Sequence, residues 1–176
     1  MTDMDMAFPA DPAHPSPMDL MVFREVLASF PAGVVIVTAM DAEGRPMGLT
    51  VSAFCSVSAV PALVCVCVDA GSNTLPAIRH SGALTINILA AGREKLALRF
   101  ASKRKDKFDI VDWAPAPHDR GGPILTSDAA AHLVCVVDRE VEAGDHSLFI
   151  AEAIGAGVQV GHPPLVYHRR GFASVS

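Results

Sequence analysis

Thr50, Ser52, Ser56 and Ser58 alternate along Gly48-Leu49-Thr50-Val51-Ser52-Ala53-Phe54-Cys55-Ser56-Val57-Ser58. In an extended chain, alternate side chains share a face. These hydroxyls and Phe54 therefore fall on one side, and Val51, Ala53, Cys55 and Val57 on the other. The second face is small and apolar, suited to a core. The first is a row of hydroxyls with one ring, suited to a polar ligand lying flat along a sheet. The same alternation also describes a half-exposed strand whose hydroxyls simply face water. Thr50, Ser52 and Ser56 are the candidates for chemistry; Ser58 reads as structural.

Two further clusters have the residue types for binding. Ser72-Asn73-Thr74 stands at the start of a short helical stretch, where free backbone N–H groups and the positive end of the helix dipole favour an anion. The plainer alternative is that one of these residues only caps its own helix. Gly144-Asp145-His146 suits a tight turn between two strands and displays an imidazole at its end; an ordinary turn histidine has the same sequence. Metal and hydrolase chemistry find little support. The seven histidines are scattered without ligand spacing, Ser72 lacks a nucleophile elbow, and no triad order is visible.

The elements that must position these residues follow from periodicity and punctuation. Ser16 as cap, Pro17 at the first helical position and Asp19 three residues after Ser16 open a helix with Leu20, Phe23, Leu27 and Phe30 on one stripe, ended by Pro31 and Gly33. Val34 to Ala39 is a β-branched strand, and 41–44 is a hairpin loop into the hydroxyl segment. Ala62 to Asp69 has the look of a buried central strand, Leu75 to His80 a short helix, and Ala83 to Leu89 a strand carrying Asn87. A helix with Leu96 and Phe100 on one side follows Gly92, and the stretch around Trp113 is irregular. Strands at Leu133–Val141 and Leu148–Val160 flank the Gly144 turn, and one last strand spans Leu165 to Ser174. Many strands, few peripheral helices and no strand–helix alternation argue for a mainly antiparallel barrel or sandwich. Neither a dinucleotide-binding glycine fingerprint nor a P-loop is present.

At 176 residues the chain reads as a flexible tail over 1–15 and a single domain over 16–176. It is 51% hydrophobic and 19% charged, with a mean hydropathy of +0.35, so part of its apolar surface is expected in a subunit interface. A net charge of −5 argues against nucleic-acid binding. The basic run Lys103-Arg104-Lys105 with Lys107 is a solvated loop or a local phosphate contact. Cys55, Cys65, Cys67 and Cys135 sit in apolar, strand-like runs and read as reduced core residues. Neither a signal peptide nor a membrane span is visible, and a cytoplasmic location is expected.

In order along the chain, several short segments resemble the short-chain flavin reductases, the reductase components of two-component flavin monooxygenases. They are Phe30-Pro31-Ala32-Gly33-Val34-Val35-Ile36-Val37-Thr38, Gly48 to Ser58, Pro61-Ala62-Leu63-Val64, Ser72-Asn73-Thr74, Ile86-Asn87-Ile88-Leu89, Phe100-Ala101, Gly144-Asp145-His146 and Pro164-Leu165-Val166-Tyr167. The likeness runs from about Met18 to Phe172. It implies a mainly β fold, a split β-barrel of Greek-key type with a few peripheral helices, assembled as a homodimer. It implies FMN or FAD at or near the subunit interface and NADH or NADPH as hydride donor. By the same resemblance, Thr50, Val51, Ser52, Ala53 and Ser56 lie along the flavin, and Ser72, Asn73 and Thr74 hold its phosphate. Phe100, Ala101 and Lys107 also reach the flavin. His146 stands on the nicotinamide side as the one candidate catalytic residue, and Tyr167 and Arg169 border the pocket. The implied activity is hydride transfer from nicotinamide to flavin, with reduced flavin passed to a monooxygenase.

An alternative is a flavin carrier or sensor. An oxidase of the pyridoxamine-phosphate type shares the split barrel, but the Gly144-Asp145-His146 turn favours the reductase. The chain departs from the family at Arg93-Glu94-Lys95, where glutamine is common, and at Val134, where glutamate is. At Ala151, where glycine is common, a methyl group is expected to crowd the pocket beside Glu152.

Overall fold

The computed structural model describes residues 18–175. The expected cap at Ser16, Pro17 at the helix start and the tail over 1–15 lie outside them. Helix α1 (Leu20–Ala28) is capped instead by Asp19, whose carboxylate accepts from the Met21 N–H at 2.7 Å. The strands β1 (Ala32–Gly33), β2 (Val35–Met40), β3 (Pro46–Val51), β4 (Phe54–Ala59) and β5 (Ala62–Asp69) follow, then helix α2 (Leu75–Ser81), β6 (Ala83–Leu89) and helix α3 (Glu94–Ala101). An irregular excursion holds two 3-10 turns and the short pair β7 (Trp113–Ala114) and β8 (Ile124–Leu125). The chain closes with β9 (Ala129–Ala143), β10 (His146–Val158), β11 (Leu165–His168) and β12 (Gly171–Ser174).

Seven strands form one antiparallel sheet in the order β3-β2-β6-β9-β10-β5-β4. Its two edge strands, β3 and β4, are joined by Ser52 and Ala53 alone. So short a link spans the sheet only because the sheet curls until its edges meet. The link continues the β4–β5 ladder, with the Cys67 N–H donating to the Ala53 carbonyl at 3.0 Å. The fold is thus mainly β, a split barrel with peripheral helices. β2 explains its own unbroken apolar run. Val35, Val37 and Ala39 point into the barrel, while Val34 and Ile36 pack outward with Leu96, Ala97 and Phe100 of α3. The strand is buried on both faces.

A buried polar knot fixes the excursion onto the barrel wall. The Asn87 amide donates to the Ile36 and Pro123 carbonyls, both at 3.2 Å, and to the Thr38 hydroxyl at 3.3 Å. Its oxygen accepts from the Leu125 N–H at 2.9 Å. Thr85 donates to the Gly122 carbonyl at 2.8 Å. A Cβ on Gly122 would stand 2.1 Å from the Thr38 backbone, so only glycine permits this approach.

Five expectations are corrected. The hydroxyl segment is not one strand, since it breaks at Ser52–Ala53 to pass between the sheet edges and carries a bulge between Ser56 and Ser58. Of its supposed core face only Val51 is buried; Ala53, Cys55 and Val57 are exposed. The last strand is a hairpin, turned at Arg169 and Arg170 with φ of 47° and 61°. Ala151 is fully buried in the barrel core, so its methyl group crowds no surface pocket. Among the cysteines only Cys135 is buried.

Candidate functional site

Two motifs some seventy residues apart in sequence are zipped together at one end of the barrel. Register places His146, the first residue of β10, opposite Asp69, the last of β5. The Ala70 N–H then donates to the Asp145 carbonyl at 2.9 Å. The Ser72 N–H turns back to the Asp69 carbonyl at 2.9 Å, and the Ser72 hydroxyl accepts from the Thr74 N–H at 3.2 Å. Lys103 reaches across to the Gly71 carbonyl at 2.7 Å. The Gly-Asp-His turn, the Ser-Asn-Thr turn and the basic run therefore share one end of the molecule. His146 Nδ1 lies 2.7 Å from Asp145 Oδ1, and that bond holds the Asp145 carboxyl below its usual range.

A cavity of about 570 Å³ opens beside this cluster, lined by Asn73, Thr74, Lys107, Phe108, Arg104 and Gly48 among others. Lys107 is its most informative residue. Its ammonium donates to the Gly48 carbonyl at 2.9 Å and the Phe100 carbonyl at 2.8 Å, which leaves one of three N–H groups unspent. Burial lowers its pKa, and the charge of Lys103 lowers it further. No carboxylate among the described residues pairs with it. Arg104 is committed to Asp106 at 2.6 Å, and chiefly that bond holds the Asp106 carboxyl at about 2. Arg45, also on the rim, is tied to Asp41 and Glu43. Lys107 is thus a half-buried cation whose protein partners are all neutral carbonyls, a donor set that suits an anion such as phosphate.

A second cavity of about 590 Å³ lies past the other end of β3, lined by Ser52, Ala53, Phe54, Tyr167, Phe30 and Arg170 among others. Its walls are mostly apolar and aromatic, with Tyr167 braced edge-on against Phe172 at 5.3 Å.

The structure therefore brings Asn73, Thr74 and Lys107 to the first cavity and Ser52, Ala53 and Tyr167 to the second. The other sequence candidates line neither. The Thr50 hydroxyl donates to the Ala97 carbonyl of α3 at 2.6 Å, and Val51 points into the barrel core. Phe100 is fully buried against Phe108, with ring centroids 5.1 Å apart, and presents its carbonyl to Lys107. Ser56 is exposed on β4, Ala101 is exposed at the end of α3, and Ser72 shapes its own turn. Arg169 anchors the final hairpin by donating its N–H to the Ala28 carbonyl at 2.8 Å; the neighbour Arg170 is the arginine that lines the cavity. Sequence reasoning also passed over Arg45, Phe108 and Gly48 as lining residues. Gly48 carries a recognisable signal, since a Cβ there would meet Phe100 at 2.8 Å. Among the described residues, no three His, Cys, Asp or Glu side chains converge on a metal position, and no helix is long and apolar enough to cross a membrane.

Comparison with known proteins agrees with this fold. The profile of the flavin reductase like domain matches residues 27–176. The chain is 37% identical over 169 residues to a flavin reductase (NADH) of Kitasatospora aureofaciens, covering 96% of this chain and 87% of that protein. It is 40% identical over 156 residues to the reductase component of a 4-nitrophenol 4-monooxygenase/4-nitrocatechol 2-monooxygenase of Rhodococcus opacus, covering 89% and 81%. Its fold superposes with a TM-score of 0.82 on the Streptomyces globisporus NADH:FAD oxidoreductase solved with NAD and FAD fragments. That pair is 32% identical, covering 97% of this chain and 98% of that one.

Proposed function

The chain belongs to the flavin reductase like family, and from that premise we propose that it is an NADH:flavin oxidoreductase that reduces FMN or FAD and supplies the product to a partner monooxygenase. The observation that carries this reading is the course of β3. Gly48 lines the cationic cavity and Ser52 the aromatic one, about 13 Å apart along an extended chain. A flavin nucleotide has the same bipolar form, with a flat ring at one end and phosphate at the other. The donor set fits it: Lys107 and Asn73 face the phosphate end, and Tyr167, Phe30 and Phe54 face the ring.

When bound, flavin supplies the redox chemistry by accepting the hydride of the nicotinamide. The protein's residues bind and orient. Lys107 holds the phosphate while its own position is fixed by two carbonyls. Ser52 and Ala53, at the barrel seam, give the ring a small-residue floor. Asp145 fixes the His146 imidazole through Nδ1 at 2.7 Å. The pair stands beside the phosphate cavity and lines neither cavity, so its role toward the nicotinamide is carried over from the family resemblance. His146 is then a positioning group, since hydride transfer needs no proton from it.

A homodimer is part of the same proposal. Leu20, Phe23 and Leu27 on α1 and Phe30 just beyond it are all exposed in the single chain, and α1 buries none of its residues. An apolar helix of this kind is normally covered, and a second copy of the barrel is the cover we infer. Light scattering in solution tests it, with twice the chain mass expected and a monomer refuting it.

The activity is tested by following oxidation of NADH and of NADPH with and without added FMN, FAD or riboflavin. Flavin-dependent oxidation of NADH is expected. Flavin binding with no oxidation of either nucleotide would instead mark a carrier.

A further inference from the structure

Three of the four cysteines line the aromatic cavity, and two of them meet. Cys55 on β4 and Cys65 on β5 are direct cross-strand partners, with sulfurs 3.7 Å apart. Directly paired Cα atoms on antiparallel strands stand about 4.5–5.5 Å apart, inside the roughly 4.4–6.8 Å range of disulfides. Cys67 shares the cavity but lies diagonal to Cys55, which makes it the poorer partner. Cys55 is exposed, Cys65 and Cys67 are half-buried, and Cys135 is buried elsewhere.

We propose that Cys55 and Cys65 form a peroxide-sensitive dithiol that closes to a disulfide across β4 and β5 at the edge of the flavin site. The source of the peroxide rests on the flavin reductase reading. Reduced flavin that escapes its partner reacts with dioxygen, returning oxidised flavin and hydrogen peroxide. The Cys55 thiolate attacks one peroxide oxygen; the O–O bond breaks, hydroxide leaves, and Cys55 becomes a sulfenic acid. Cys65 sulfur then attacks the Cys55 sulfur, the S–O bond breaks, and water leaves with the Cys65 proton. In sum, two thiols lose two electrons and two protons, and one peroxide becomes two waters.

The order of attack follows from burial. Cys65 is pushed up to about 11, chiefly by burial and further by the hydrogen bond and charge of Cys55. It is therefore the second sulfur to react, and the part due to the Cys55 charge vanishes once Cys55 is a neutral sulfenic acid. Cross-strand Cβ atoms stand about 4.5–5.5 Å apart, wider than the roughly 3.8 Å of a relaxed disulfide. The bond would be strained and readily reduced, as reversible disulfides are. Cys135, pushed up to about 12 by burial, serves as an internal unreactive thiol.

The test is peptide mass spectrometry on the full chain after trapping free thiols. Added hydrogen peroxide is expected to join the Cys55 and Cys65 peptides with loss of two hydrogen atoms, lowering free thiols from four to two. Dithiothreitol should reverse the joining, and Cys55→Ser should abolish it while leaving Cys65 free. Four surviving thiols, sulfinic acid at Cys55 alone, or a bond between two chains would overturn the proposal. A second arm incubates the protein with NADH, flavin and air, with and without catalase. Cross-linking that catalase prevents is expected. If NADH is consumed without cross-linking, the enzyme's own product is not the oxidant. If added peroxide cross-links the pair but NADH is never consumed, the dithiol stands and the reductase reading falls.

Discussion

Replacing Lys107 by methionine removes the cation from the first cavity while keeping most of the stem's volume. The ammonium holds two carbonyls, Gly48 at 2.9 Å and Phe100 at 2.8 Å, and has one donor left. A charge-assisted hydrogen bond to phosphate is worth about 1.5–3 kcal/mol net, or roughly 10- to 150-fold in dissociation constant. Arg104 and Lys105 share the cavity and partly replace the lost charge, so the lower end, about tenfold, is the expected loss. Fluorescence titration with FMN, FAD and riboflavin separates this role from mere damage. Affinity for FMN and FAD should fall together, while riboflavin, which has no phosphate, should bind as before. An equal loss for all three would show that Lys107 only clips α3 to β3, and the phosphate assignment would be refuted. The pH dependence has a fixed sign. Burial lowers the Lys107 pKa from 10.5, so the folded chain releases this proton before the unfolded chain does. Lys107 therefore adds stability as pH rises from its lowered value toward 10.5, while FMN affinity falls over the same window.

Other perturbations have equally definite outcomes. Asn87→Ala leaves four buried hydrogen bonds unmade and should cost about 2–4 kcal/mol, seen as a melting temperature roughly 5–15 °C lower by circular dichroism; an unchanged melt would contradict the knot's role. Gly48→Ala would place a methyl group 2.8 Å from Phe100 and should cost about 1–3 kcal/mol, with FMN affinity falling as Phe100 and Lys107 shift. His146→Ala should raise the KM for NADH about three- to tenfold, the worth of one hydrogen bond, with flavin affinity nearly unchanged. Loss of flavin affinity to the same degree would remove the positioning role.

What the sequence made legible depended on whether a feature was local. β2, α3 and the turn at Gly144 carry periodicity or glycine that specifies them within a few residues, and all three appear as expected. The break at Ser52–Ala53 has no such mark. Alternation runs unbroken through it, and the chain leaves the sheet there only because β3 pairs with β2 and β4 with β5. The hydroxyl row is accordingly not one continuous bed: Thr50 is spent on α3, Ser56 is exposed on β4 outside both cavities, and Ser52 alone lines a cavity. The Arg169–Arg170 turn was hidden for a related reason, since hairpins of this geometry favour Asn-Gly and arginines give no warning. Cys55 and Cys65 sit ten positions apart in apolar runs that look like core, and only the register of an edge strand exposes them as a facing pair. The apolar stripe of α1 was legible, but not that its partner lies outside the chain.

The most direct test of the central claim is the visible absorbance of FMN mixed with the protein and NADH without oxygen. The account requires that the flavin band bleach in proportion to the NADH consumed, at a rate set by protein concentration, and return when air is admitted. A band that persists while the protein demonstrably binds flavin would contradict it.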